Sequence, residues 1–168
     1  MAPKRPRYPF VPKSSSYLEP GQFWAIPLSN GAFAAGRVLQ LFPKGHLMAP
    51  RGFYGGLMDW SGAAPPSSDD LAGRRILREG DMHVKVVQQT GGEILGCRPL
   101  ELDDIEPGLF LDQAPDSPNC KVQRGITVLG SATPEQRATL QTHSTWGLRV
   151  IVLLAERFFV RGEATHAG

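Results

Sequence analysis

Cysteine is scarce in this chain. Cys97 and Cys120 are its only two among 168 residues, too few for the disulfide framework that staples small secreted domains, so both are expected to be reduced. Long apolar runs are missing as well. VIVLLA, from Val150 to Ala155, falls far short of the roughly 20 residues that cross a bilayer. No stretch supplies the apolar core of roughly 7 to 15 residues that marks a secretory signal. The expectation is a cytoplasmic protein with no membrane partner. The four histidines, His46, His83, His143 and His166, stand tens of residues apart, without the i, i+4 or C-x-x-C spacing of zinc ligands. No metal and no other cofactor is expected. The phosphate-cradling patterns G-x-x-x-x-G-K-[ST] and G-x-G-x-x-G and the nucleophile elbow G-x-S-x-G are also missing. On these grounds the chain is not expected to be an enzyme.

Charge of one sign is lacking overall, since the formal net charge is only +2. Its distribution is uneven. Lys4, Arg5, Arg7 and Lys13 precede the first acid, Glu19, so the body from Ser14 onward carries fourteen basic against sixteen acidic residues. The arm MAPKRPRYPFVPKSSSY, with its prolines and serines, cannot form a regular helix. Residues 1–17 are read as a flexible basic extension, 18–163 as one domain, and 164–168 as a disordered tail. With 41% hydrophobic residues, the central part is long enough to bury one core.

The clearest local signal is PGQFWAIPLSNGAFAAGRVLQL, from Pro20 to Leu41. Two apolar runs flank Asn30-Gly31, the pair favoured in two-residue hairpin turns. Gly36 within the second run marks a bulge or a close backbone approach. Phe53-Tyr54 and Leu57-Met58 suggest a short strand ending at Asp59-Trp60. Ser67 to Leu71 suggests a single helical turn with serine as N-cap, stopped at Gly73. From Asp81 the pattern takes period two, with His83, Lys85 and Val87 on one face and Met82, Val84 and Val86 on the other. Gly91-Gly92 then predicts a turn into a return strand, Glu93 to Arg98, making a second hairpin. Lys121 to Leu129 reads as a strand, and Pro134 to Gln141 as a short helix with Thr133 as N-cap and Pro134 at its first position. Leu148 to Val160, β-branched and aromatic, reads as a strand or two.

Acid is concentrated in one place. Glu101, Asp103, Asp104, Glu106, Asp112 and Asp116 occur with no Lys or Arg among them. Such a run keeps a surface solvated, or it complements a basic partner by steering encounter and narrowing partner choice. Two other constellations are weaker. Trp24, Trp60 and Trp146, with Phe23, Phe53 and Tyr54, are aromatic enough for a base-stacking platform beside the basic arm. Aromatics on short strands more often fill a β core. His83 beside Asp81 is a conceivable acid-base pair, although an ordinary strand histidine accounts for it equally.

Taken in order, PGQFWAIPLSNGAFAAGRVL, FYGGLMDW, SDDLAGRRILREGDMHVKV and GGEILGCRPLE resemble the pattern of the immunity protein 26 family of bacterial polymorphic toxin systems. The resemblance spans Glu19 to Glu106. It implies a cytoplasmic antitoxin-like binder that occludes a cognate toxin domain and needs no catalytic residue. The Pro-rich basic arm and the region beyond Arg124 depart from the pattern. The combined expectation is a mainly β protein: a twisted antiparallel sheet or small, partly open barrel of five to eight strands with one or two short helices. Its expected partner-binding face comprises Asp59, Asp69, Asp70, Glu101, Asp103, Asp104 and Glu106. The alternative expectation is a small β-barrel module that binds nucleic acid through Trp24, Trp60 and the arm.

Overall fold

The structure is a computed structural model and describes residues 4–163. Among these residues the chain forms β1 (Gln22–Pro27), β2 (Phe33–Leu41), β3 (Gly52–Gly62), β4 (Ile76–His83), α1 (Lys85–Gln89), β5 (Ile94–Cys97), β6 (Leu109–Leu111), β7 (Lys121–Arg124), β8 (Thr127–Ser131), α2 (Pro134–Thr139) and α3 (Val150–Phe159). The protein is mainly β, as expected. Its strands make two antiparallel sheets, ordered β4-β3-β2-β1-β5 and β6-β7-β8, and no closed barrel. The tail expected to be disordered, 164–168, lies outside the described residues.

The runs beside Asn30-Gly31 pair as β1 and β2, with Pro27 opposite Phe33. The connection is longer than the two-residue loop expected. Leu28 turns into the core, and its N–H donates to the Ala32 carbonyl at 2.9 Å, so residues 28–32 form the loop. Gly31, at φ +85°, takes the left-handed conformation that costs glycine little. Ser29 fastens this loop to α3, because its N–H and hydroxyl donate to the two carboxylate oxygens of Glu156 at 2.7 and 2.8 Å. Gly36 is a close approach, as expected. The Trp24 indole crosses it so tightly that a Cβ there would lie 2.2 Å from the ring, beside a register shift between Ala34 and Gly36.

Alternation gives the larger sheet two buried faces. One face sends Trp24, Ile26, Val38, Phe53, Leu57 and Met82 into a core with Val86 and Val87 of α1 and Ile151 and Ala155 of α3. Side chains on the other face form two smaller clusters, Phe23, Ala35, Met58, Trp60 and Leu71, then Leu39, Tyr54 and Leu100. Trp24, Trp60 and Trp146 are all buried, as are Phe23, Phe53 and Tyr54. The expected stacking platform is therefore not formed. These rings are core, and none is free to lie against a base.

Three expectations fail for stated reasons. The strand beginning before Asp81 ends at His83, and α1 replaces its continuation because Val84 and Val87, three apart, both turn inward while Lys85 and Gln88 stay exposed. The hairpin expected from Asp81 to Arg98 does not form: β4 and β5 lie at opposite edges of the sheet, and β5 pairs with β1, whereas the run read as one strand from Lys121 to Leu129 folds back as the hairpin β7–β8. Val150–Phe159 is a helix, since Ile151 and Ala155, four apart, present one buried stripe to the sheet and override the β-branched composition. By contrast, α2 follows expectation. Thr133 caps it, with Gln136 closing a reciprocal capping box and Pro134 opening the helix.

Parts of the basic arm contact the fold. Phe10 exchanges two backbone hydrogen bonds with Ile94 of β5, at 3.1 and 2.8 Å, while Ser15 N–H donates to Pro50 and Arg5 pairs with Glu19. From residue 4 the chain thus lies along an edge of the sheet. The far edge is covered too. Asp81 of β4 donates its N–H to Ser144 and accepts from Trp146 N–H, and Leu111 of β6 is flanked in the same way by Gln141 and His143. Residues 141–146 therefore stitch the two sheets together. No helix among the described residues is long and apolar enough to cross a membrane.

Candidate functional site

Arg37 stands on the second face of the larger sheet with no exposed side-chain surface. A buried guanidinium needs a counter-charge. Asp103, whose side chain is 1% exposed, supplies it at 3.1 Å. Arg98 donates to the same carboxylate from Nε at 2.9 Å, and Gly73 N–H donates to its other oxygen at 3.0 Å. Arg37 also donates to the carbonyls of Arg98 and Pro99. Burial pushes the Asp103 carboxyl up, but the bonds from Arg98, Gly73 and Arg37 outweigh it and hold the group at about 2.

That hub brings two short 3-10 turns together, Asp69–Leu71 and Leu100–Asp103. Four of the expected partner-binding acids project from this surface: Asp69, Asp70, Glu101 and Asp104 are all exposed. Asp70 accepts from Ser67 N–H at 2.8 Å and from its hydroxyl at 2.9 Å, which holds its carboxyl below the ordinary value. Asp104 takes a left-handed φ of 51° as the second turn ends. The remaining three do not join as free charges. Asp103 is the buried hub and cannot touch a partner. Asp59 pairs with Arg75 at 3.1 Å, and Glu106 lies 3.6 Å from Arg124.

A second polar centre was not foreseen. Tyr54, cross-strand from Asp81 and on the same face as Glu79, donates its hydroxyl to Glu79 Oε1 at 2.8 Å. Gly108 N–H donates to the same oxygen at 2.6 Å. Burial raises the Glu79 carboxyl above its ordinary value, against the opposing pull of those two donors, His143 and Arg124. Burial likewise raises the Tyr54 phenol, helped by the adjacent Glu79 charge. His143 stacks on Tyr54 with centroids 5.5 Å apart. Its Nε2 lies 2.9 Å from Asp81 Oδ1 and its Nδ1 2.8 Å from the Gln123 amide. His143 thus sits between Asp81 of β4 and Gln123 of β7.

The pairing of His83 with Asp81 is not formed. Asp81 faces His143 and Thr145, while His83 Nδ1 accepts from Lys85 N–H at 3.0 Å. One signal for the second centre stood in the sequence: Glu79 and Asp81, two apart on a strand, share a face. Tyr54, Gly108, Gln123 and His143 reach them from far along the chain. Comparison with family models, curated proteins and solved structures gives no match for this chain.

Proposed function

We propose that the chain neutralises a cognate bacterial toxin domain in the cytoplasm by direct protein binding, without catalysis, as its resemblance to the immunity protein 26 family implies. The observation carrying this reading is the joining of the two 3-10 turns through Asp103 and Gly73, which presents Asp69, Asp70, Glu101 and Asp104 on one supported surface. Acids held on rigid backbone lose little freedom on binding, and they complement Lys or Arg of a partner. Like-signed charge on one patch also accelerates encounter with a cationic protein and loses that effect as salt rises.

The test is titration of a toxin-like domain encoded by a neighbouring gene with the native protein and with D69K/D70K/E101K/D104K. The expected result is at least a tenfold loss of affinity, expressed largely in the association rate at low salt. Unchanged affinity and unchanged salt dependence in the folded quadruple variant would sink the reading.

A further inference from the structure

A groove of about 920 Å³ opens where β4 approaches β6, with Leu109, Phe110, Leu140, Trp146 and Leu154 among its walls. Glu79 lines it. Both protein donors to this carboxylate, Tyr54 hydroxyl and Gly108 N–H, go to Oε1. Oε2 receives no hydrogen bond among the described residues, and it is not one of their sealed, unpartnered side-chain atoms as Arg37 Nε is. One oxygen is therefore pinned and the other left without a hydrogen bond beside the groove.

No neighbouring arginine among the described residues hydrogen-bonds this carboxylate, although Arg124 acts on it through space while donating to the Pro107 carbonyl. Arg75 engages Asp59, and Arg78 lies over the Phe158 ring at 5.2 Å with a guanidinium N–H on the Leu77 carbonyl. Backbone geometry adds a second point. Asp81 directs its N–H and carbonyl away from β3, toward Ser144 and Trp146. By strand alternation Glu79 directs its own backbone groups the same way, toward the groove. An extended segment can lie there, with a side chain entering between apolar walls to meet the carboxylate.

We propose that this groove is a second contact for the protein partner and receives an arginine or lysine side chain of an extended segment, with Glu79 Oε2 as acceptor. The assignment rests on the toxin-binding reading for the origin of that segment. Charge complementarity selects the occupant. A partly desolvated carboxylate gains most from a charged donor, and its fixed orientation removes part of the ordering cost.

The probe is a blocked five-residue peptide, Val-Thr-X-Val-Thr, with X as arginine, lysine or citrulline, titrated into the isotopically labelled full chain. The expected result is saturable shifts of the Glu79 and Gly108 amides and the Trp146 indole N–H with arginine and lysine. Citrulline, which keeps shape but lacks charge, should bind at least tenfold more weakly. E79Q preserves an acceptor for Tyr54 and Gly108 and should lose the discrimination between arginine and citrulline while remaining folded. Equal binding of citrulline, no binding of any peptide, or unchanged discrimination in E79Q would overturn the inference. Because the probe contains no toxin, the two readings fail separately. Peptide recognition surviving in the quadruple acidic-turn variant upholds the groove whatever the toxin does, and toxin capture by a chain that ignores every peptide leaves only the acidic turns.

Discussion

Asp103 and Glu79 are both carboxylates drawn away from water beneath the second face of the larger sheet, and their protons respond in opposite directions. Asp103 has two guanidinium partners and a backbone N–H, and is held at about 2. Glu79 has a phenol and a backbone N–H, both neutral and both on one oxygen, and burial raises it. The donors differ in charge: two guanidinium groups bond Asp103 and none bonds Glu79. A carboxylate hydrogen-bonded by two guanidinium groups becomes a structural hub, whereas one hydrogen-bonded only by neutral donors, with Arg124 acting through space, keeps a raised proton affinity.

The severest way to break the comparison is D103K. It places a cation beside Arg37 and Arg98 and leaves Gly73 N–H without its acceptor. Removing one partner of a buried pair costs about 3 to 5 kcal/mol, so the variant is expected to lose cooperative folding or to lose that much unfolding free energy, with a lower urea midpoint. A surface role for Asp103 predicts a folded variant of native stability that merely binds its partner poorly. Equilibrium unfolding distinguishes these outcomes.

Acid titration sharpens the same contrast. Asp103 is depressed in the folded state, so its contribution is present above its unfolded value of about 4 and is lost as pH falls toward about 2. Glu79 has the opposite sign. Raised on folding, it favours the native state at low pH and withdraws that support as pH rises through its folded value. Unfolding free energies measured from pH 2 to 7 are expected to show a shallower acid limb in D103N. In E79Q they should equal or exceed those of the native chain at neutral pH, by up to about 1 kcal/mol, since the charged form's burial cost is removed. A substantially destabilised E79Q at pH 7 would show that the carboxylate charge supports the fold after all.

What was legible in the sequence follows the range of the interactions. The β1–β2 pairing and the Thr133 cap depend on residues within a few positions of one another, and both stood in the local pattern. Gly36 was legible as a close approach, though not that Trp24 makes it. The helix Val150–Phe159 was not, because its β-branched side chains suit a strand and only the sheet it covers selects the helix. The acidic surface was half legible. Charge segregation pointed to Asp69, Asp70, Glu101 and Asp104, but it could not separate them from Asp103, whose role is set by Arg37 66 positions earlier. For Glu79 only the shared face with Asp81 stood in the sequence, since its donors Tyr54 and Gly108 stand 25 and 29 positions away.

The gentlest test lies one residue from the most severe. Asp104 adjoins Asp103 but is exposed, at the left-handed end of the 3-10 turn. D104N keeps nearly the same shape and puts there a residue that tolerates that backbone region well. Its unfolding free energy is expected to stay within about 0.5 kcal/mol of the native value, against the loss of several in the adjacent D103K. The same asparagine removes one negative charge from the surface proposed to meet a partner, so association with the proposed toxin partner at low salt should slow by a few-fold while dissociation changes little. Equal effects on stability at 103 and 104 would mean that the acidic run is uniform surface after all, and the division between a buried hub and a presented face would fall with it.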